Sequence, residues 1–244
     1  MAHALDIERD AMLLARLGDS APAAFLTLLN RRLANEPVAY ITGRRAFWTI
    51  ELKVAPGALI PRPDSETLIE AAVEHFGTAG PKRILDLGTG PGTLLLAALD
   101  HWPGATGVGI DASPEALALA LSNAGRLGLA GRAEFRGGDW AEGVEERFDL
   151  VLCNPPYVEE AAELAPQVAQ WEPSAALFAG PDGLDAYRSL APQLARLIAP
   201  GGIACIEVGA GQAAAVIALF ESRNLVARPR NDLGGHVRCL VLGL

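Results

Sequence analysis

Past residue 80 the chain alternates between two kinds of apolar pattern. Short runs such as Ile84-Leu85-Asp86-Leu87 and Leu150-Val151-Leu152-Cys153 are apolar at nearly every position. Runs of this kind read as strands buried on both faces, as in parallel sheets. Between them lie longer stretches in which apolar residues return every three or four positions, the spacing of a helix with one buried face. On this basis residues 83–87, 106–110, 133–135, 149–153, 203–208, 226–228 and 237–242 are predicted strands, and residues 94–99, 114–127, 184–198 and 213–222 predicted helices. Strand–helix alternation predicts an α/β fold, a mainly parallel sheet with helices on both faces. Only residues 229–235 separate the last two strands, too few for a crossover helix, so that pair is expected to be antiparallel.

The first 80 residues read differently. Over residues 1–35, Ile7, Met12, Leu13, Leu14 and Leu17, then Phe25, Leu26, Leu28, Leu29 and Leu33, follow a helical spacing. Gly18-Asp19-Ser20-Ala21-Pro22 breaks it into two short helices, expected to lean on the main domain because neither buries much alone. Residues 36–63 read as a β-hairpin linker. Residues 46–54 are its strand, Pro56-Gly57 its turn, and Leu59-Ile60-Pro61-Arg62-Pro63 its exit. Asp64 or Ser65 then caps a helix through Leu68, Ile69, Ala72, Val73 and Phe76, which opens the main domain at residues 64–244.

Composition narrows the class. At 244 residues, half of them hydrophobic, the chain can bury a sizeable core, and one domain with a small appendage is expected. Its apolar runs are shorter than a membrane span, and Met1-Ala2-His3-Ala4-Leu5-Asp6 lacks the features of a signal peptide. A net charge of −9 and a pI near 5.0 argue against broad nucleic-acid binding. Arg31-Arg32 and Arg44-Arg45 remain as a local basic patch or as plain solvated arginines. Cys153, Cys205 and Cys239 fall in strand-like stretches without metal-binding spacing, so reduced core cysteines, a cytoplasmic location and no metal are expected.

The candidate chemistry sits at predicted strand ends. Asn154-Pro155-Pro156-Tyr157 follows the strand at 149–153, where open α/β sheets place ligands. Two prolines stiffen that loop and remove two donors. A carboxamide oxygen and a loop carbonyl can then each accept one hydrogen of an –NH2 group, with Tyr157 covering a flat substrate. A proline-rich strand exit with a capping Asn is the plainer reading. Gly88-Thr89-Gly90-Pro91-Gly92 follows the strand at 83–87 and opens a helix. It is either a ligand cradle or a tight turn, and its Gly-x-Gly-x-Gly spacing differs from the dinucleotide fingerprint. Asp111 ends the next strand, placed either to grip a ribose or to cap a helix. Asp139-Trp140 follows the third strand, where an indole either stacks on adenine or belongs to the core.

Over residues 82–244 these elements together resemble the seven-stranded class I methyltransferases, Rossmann-like proteins that use S-adenosylmethionine. Asn-Pro-Pro-Tyr resembles the motif of enzymes that methylate planar nitrogens. The flanks are similar to the HemK family of protein-(glutamine-N5) methyltransferases: Glu36-Pro37-Val38-Ala39-Tyr40-Ile41-Thr42-Gly43 with Phe47-Trp48, Leu59 through Glu66, Trp171-Glu172-Pro173-Ser174, Gly180-Pro181-Asp182-Gly183, and Ile206-Glu207-Val208-Gly209 with Gln212. The resemblance implies transfer of a methyl group to the glutamine of the Gly-Gly-Gln motif of peptide-chain release factors by a protein that acts as a monomer. It assigns Gly88, Thr89, Gly90, Pro91, Gly92, Asp111, Trp140 and Asn154 to the cofactor. Asn154, Pro155, Pro156 and Tyr157 go to catalysis and substrate. The chain departs from the family pattern in its short N-terminal helical segment, in Pro91, and in Asp64-Ser65-Glu66 where Glu-Thr-Glu or Asp-Thr-Glu is usual. A nucleic-acid amino-methyltransferase using the same Asn-Pro-Pro-Tyr platform is the alternative, disfavoured by the acidic balance.

Overall fold

The computed structural model describes residues 1–16 and 18–244; Leu17, part of the first apolar pattern, lies outside the described residues. The chain opens with α1 (Ala2–Leu5), α2 (Arg9–Ala15), α3 (Ala23–Leu33) and α4 (Val38–Thr42). One helix was expected where α1 and α2 now stand. The break falls at Asp6, which takes a left-handed conformation (φ 52°) and ends α1. No described residue of α1–α3 is buried, so this segment stabilises the core little. Arg31 is paired with Glu36, and Arg32 donates to Gln167 Oε1 at 2.8 Å, which ties α3 to a later loop. With Arg44 beside Glu51 as well, three of the four arginines of the suspected basic patch face partners within the chain.

β1 (Arg44–Phe47) and β2 (Ile50–Lys53) pair antiparallel, with Phe47 opposite Ile50. The hairpin turn is therefore Trp48-Thr49, inside the stretch expected to be one strand, and not Pro56-Gly57. Apolar residues cluster on both sides of this turn. Trp48 adopts φ 52°, and Phe47, Ile50 and Leu52 all reach the core, so tertiary burial outweighs the cost of a bulky residue in a left-handed turn.

The main domain follows as α5 (Glu66–Phe76), β3 (Arg83–Leu87), α6 (Thr93–His101), β4 (Thr106–Asp111), α7 (Pro114–Arg126), β5 (Ala133–Gly137), β6 (Phe148–Cys153), α8 (Pro166–Ala169), α9 (Asp185–Leu197), β7 (Ile198–Glu207), α10 (Ala213–Glu221), β8 (Val226–Asn231) and β9 (Val237–Gly243). The seven strands lie in the order β5-β4-β3-β6-β7-β9-β8. All neighbours are parallel up to β7, and the β7–β9 and β9–β8 pairs are antiparallel, as the short final connection required. Strand alternation divides the core into two layers. Ile84, Leu150 and Leu152 pack with α5 and α6 on one face, while Leu85, Leu87, Val151 and Cys153 pack with α9 and α10 on the other. The three cysteines are free and buried in these layers. Among the described residues no helix is long and apolar enough to cross a membrane.

Two features of this architecture position the site. The strand order reverses between β3 and β6, so the loops leaving their carboxyl ends diverge and open a crevice there. Gly109 lets β4 approach its neighbours closely: a Cβ there would stand 2.8 Å from both Phe135 and Thr89 Oγ1.

Candidate active site

The loop after β3 turns sharply because Gly88, Gly90 and Gly92 all take positive φ (67°, 56° and 87°). Thr93 and Leu94, at the start of α6, line a small space beside this loop. Below this loop lies Asp86, an acid in an otherwise apolar strand and 1 % exposed. Its Oδ2 accepts from Thr89 Oγ1 (2.6 Å) and from the Leu95 amide (3.1 Å). Its Oδ1 is buried without a partner. Burial pushes this carboxyl up to about 7, against the pull of those two donors.

Asp111 closes the loop from the β4 side. Its Oδ2 accepts from the Gly90 amide at 2.8 Å and its Oδ1 from the Ser113 amide at 2.9 Å. The cap of α7 is Ser113, whose Oγ accepts from the Ala116 amide, so helix capping is not the work of Asp111. Each carboxylate oxygen retains lone pairs, and Asp111 lines a cavity of about 530 Å³. Gly88, Gly90, Asp139, Trp140, Asn154 and Pro156 line the same cavity. Trp140 packs on the α9–α10 core layer and also lines the cavity.

A smaller space of about 40 Å³ adjoins it, lined by Ser65, Asp86, Thr89 and Pro91. Asn154, Gly88 and Gly90 border both spaces, which places the Asn154 carboxamide where the two meet. Of the residues singled out from sequence, Gly92, Pro155 and Tyr157 border neither. Gly92 begins α6, with no room for a Cβ beside Leu96, and Pro155 is buried. Tyr157 packs against the α9–α10 core layer, its hydroxyl donating to Glu207 Oε1 at 3.2 Å. Burial raises its phenol far above the ordinary range, so it stays a donor.

Sequence reasoning missed the polar support beneath Asn154. Asp64 or Ser65 was expected to cap α5; the cap position falls on Ser65, which makes no capping bond. It lies in the turn Pro63–Ser65, 2 % exposed, and donates to Glu207 Oε2 at 2.5 Å while its Oγ accepts from Asn154 Nδ2 at 3.0 Å. Glu207, at the end of β7, is 1 % exposed, and burial pushes it up to about 7 against Ser65, Arg238 and Tyr157. Asp86 and Glu207 did carry a signal: a lone acid inside a strand buried on both faces is costly unless it is used. Arg62 and Glu172 stood in the sequence as members of separate flanking motifs, and the structure joins them. Glu172 accepts from Arg62 Nη2 (2.5 Å) and from the Ile60 amide (3.0 Å), clamping the exit of the linker to the loop that carries Pro173 and Ala176 across the cavity.

Comparison with known proteins agrees with this geometry. A sequence profile described as a methyltransferase domain matches residues 80–230, and one described as the PrmC N-terminal domain matches residues 1–43. The chain is 46 % identical to the Release factor glutamine methyltransferase of Rhodospirillum rubrum, over 98 % of this chain and 75 % of that protein. It is 46 % identical to the protein of the same name from Caulobacter vibrioides, over 88 % of this chain and 76 % of that one. Among solved structures, a methyltransferase from Pyrococcus furiosus shares the fold, with a TM-score of 0.62 at 16 % identity, covering 88 % of this chain and 97 % of that one.

Proposed function

The chain belongs to the release factor glutamine methyltransferases, and from that membership we propose that it transfers a methyl group from S-adenosylmethionine to the side-chain amide nitrogen of the Gly-Gly-Gln glutamine of a release factor. The position of Asn154 carries this reading, because one carboxamide borders both a large cavity and the small space beside Asp86. When bound, the cofactor supplies an electrophilic methyl group on a positively charged sulfur. The residues present suit such a ligand. Asp86 Oδ1 is a buried acceptor with no partner among the described residues, suited to a cationic group, and Asp111 has lone pairs free for a ribose diol. Trp140 offers a flat wall for a purine.

An amide nitrogen is a poor nucleophile, since its lone pair is shared with the carbonyl. Asn154 Oδ1, which borders both spaces, would accept one of its hydrogens, and the family resemblance assigns the other to the Pro155 carbonyl, although Pro155 is buried and lines neither space. Those bonds strengthen as the nitrogen gains positive charge, so they favour the transition state over the ground state. Glu172 ties residues 60–62 to its own loop, so that Leu59 and Pro173, both lining the large cavity, are held by one clamp. We propose a cytoplasmic location as well, since a release factor acts on the ribosome there.

The test is incubation of the protein and labelled S-adenosylmethionine with release factor, DNA, RNA and ribosomal protein in separate reactions. Label on the release factor, mapped by mass spectrometry to the Gly-Gly-Gln glutamine, is expected. Replacing that glutamine by Asn should nearly abolish transfer, because one missing methylene withdraws the nitrogen from its reacting position. Methylation of adenine in DNA with none on intact release factor would overturn the reading.

A further inference from the structure

We propose that Ser65 and Glu207 are positioning residues that set which way the Asn154 carboxamide faces, a role that rests on the amide-methylating function above. The three side chains come from distant parts of the chain. Ser65 lies in the turn before α5, Asn154 just after β6 and Glu207 at the end of β7. Their bonds form one directed chain: Asn154 Nδ2 donates to Ser65 Oγ at 3.0 Å, and Ser65 Oγ donates to Glu207 Oε2 at 2.5 Å.

The direction follows from counting protons. An ionised Glu207 can only accept, and it receives Ser65 on Oε2 and the Tyr157 hydroxyl on Oε1. A serine hydroxyl has a single hydrogen, and Glu207 takes it, so Ser65 offers Asn154 only lone pairs. Asn154 must then turn its NH2 toward Ser65 and its Oδ1 away from it. Left without this partner, the carboxamide torsion has two broad, roughly equivalent wells. In one of them the Asn154 NH2 would meet the hydrogens of the substrate amide, donor against donor. Ser65 and Glu207 are 2 % and 1 % exposed, so water cannot readily substitute for either. Burial pushes Glu207 up to about 7 against the Arg238 charge and the Ser65 and Tyr157 hydroxyls, so this directed chain is complete above that pH, where Glu207 is ionised.

The experiment combines kinetics with a readout that needs no turnover. Ser65→Ala, Ser65→Thr and Glu207→Gln would be compared with the full-length protein. The measurements are kcat and KM for release factor, cofactor-induced thermal shift, and hydrogen exchange of the Asn154 side-chain NH2 by 15N-resolved NMR. Ser65→Ala should lower kcat by about 10- to 100-fold, the scale of a misplaced reacting group, with KM and the cofactor shift little changed. The Asn154 NH2 should lose its protection from exchange in the same variant. Ser65→Thr keeps the hydroxyl and should recover most of both. Glu207→Gln leaves Ser65 a partner that can donate or accept, so both Asn154 orientations become populated and kcat falls by an intermediate factor. A Ser65→Ala protein with kcat within about twofold of wild type and a protected Asn154 NH2 would overturn the proposal. So would a loss of kcat that tracks loss of the cofactor shift and is not rescued by Thr, since that pattern marks a structural role. Absence of transfer by the wild-type protein would instead count against the substrate, and the exchange comparison would still decide the role of Ser65.

Discussion

Replacing Asp111 by Ala tests the cofactor assignment most directly, and its size can be worked out in advance. The carboxylate holds the Gly90 and Ser113 amides within the chain, and its free lone pairs are assigned to two ribose hydroxyls. Bonds to a charged acceptor are worth roughly 1.5–3 kcal/mol each, so losing two at the lower figure removes about 3 kcal/mol of binding, or about 100-fold in Kd. Cofactor at about 100 times the wild-type Kd stabilises the native state by about 2.7 kcal/mol, and the variant at that concentration by only about 0.4 kcal/mol. For a chain of this size each kcal/mol moves Tm by roughly 2–4 °C, so the ligand-induced shift should shrink from about 5–11 °C to about 1 °C. The readout is that shift, measured by thermal melts with and without S-adenosylmethionine, and not the absolute Tm. The apo variant should itself melt earlier, because two backbone donors lose their acceptor. A full ligand-induced shift in Asp111→Ala would refute the reasoning and reduce Asp111 to a brace for the glycine loop.

Asn154→Ala should cut turnover by about 100-fold or more while keeping most of the cofactor-induced thermal shift; near-normal turnover with weak cofactor binding would exclude the amide-clamp role. Asp86 and Glu207 both sit at about 7 in the folded protein, above the usual carboxylate range, so the native state binds more protons than the unfolded chain between about pH 4 and 7. Their contribution to stability is therefore full below about pH 4 and is lost as pH rises through 7; apo melts should record that fall, and cofactor affinity should rise over the same range as Asp86 ionises to meet a cation. A cofactor affinity independent of pH from 5 to 8 would remove Asp86 from the binding site. Glu172→Ala should orphan the buried Ile60 amide at a cost of about 1–3 kcal/mol, with little added for the Arg62 pair because Arg62 is one-third exposed. An unchanged Tm would show that the loop over the cavity is not held by this clamp.

Much of the main domain was legible along the chain because its inner strands β3, β4 and β6 are buried on both faces, though the edge strands β5 and β8 are not. Burial of that kind writes itself as continuous apolar runs, and each of the seven strands lies at its predicted place with ends differing by a few residues. The antiparallel end of the sheet was equally readable, since loop length alone forbids a crossover between β8 and β9. The glycine loop, Asp111 and Asn154 could be placed at strand ends for the same reason: chain order locates a strand's carboxyl end before any packing is known.

Where apolar residues stood on both sides of a turn, the pattern misled. The run from Ala46 to Val54 is β-like throughout, and only the burial of Phe47 and Ile50 opposite one another shows that the chain reverses at Trp48. Ser65 is the sharper case. Before a helix, serine carries the local chemistry of a cap, and the sequence alone determined a small hydroxyl there, an amide after β6 and an acid in β7. That the hydroxyl turns away from its own helix to join the other two was decided by the sheet, which sets the ends of β6 and β7 side by side and seats the turn before α5 against them. Contacts between residues 89 and 142 positions apart leave no mark on local periodicity, because each partner is chosen by a surface that exists only once the sheet has formed.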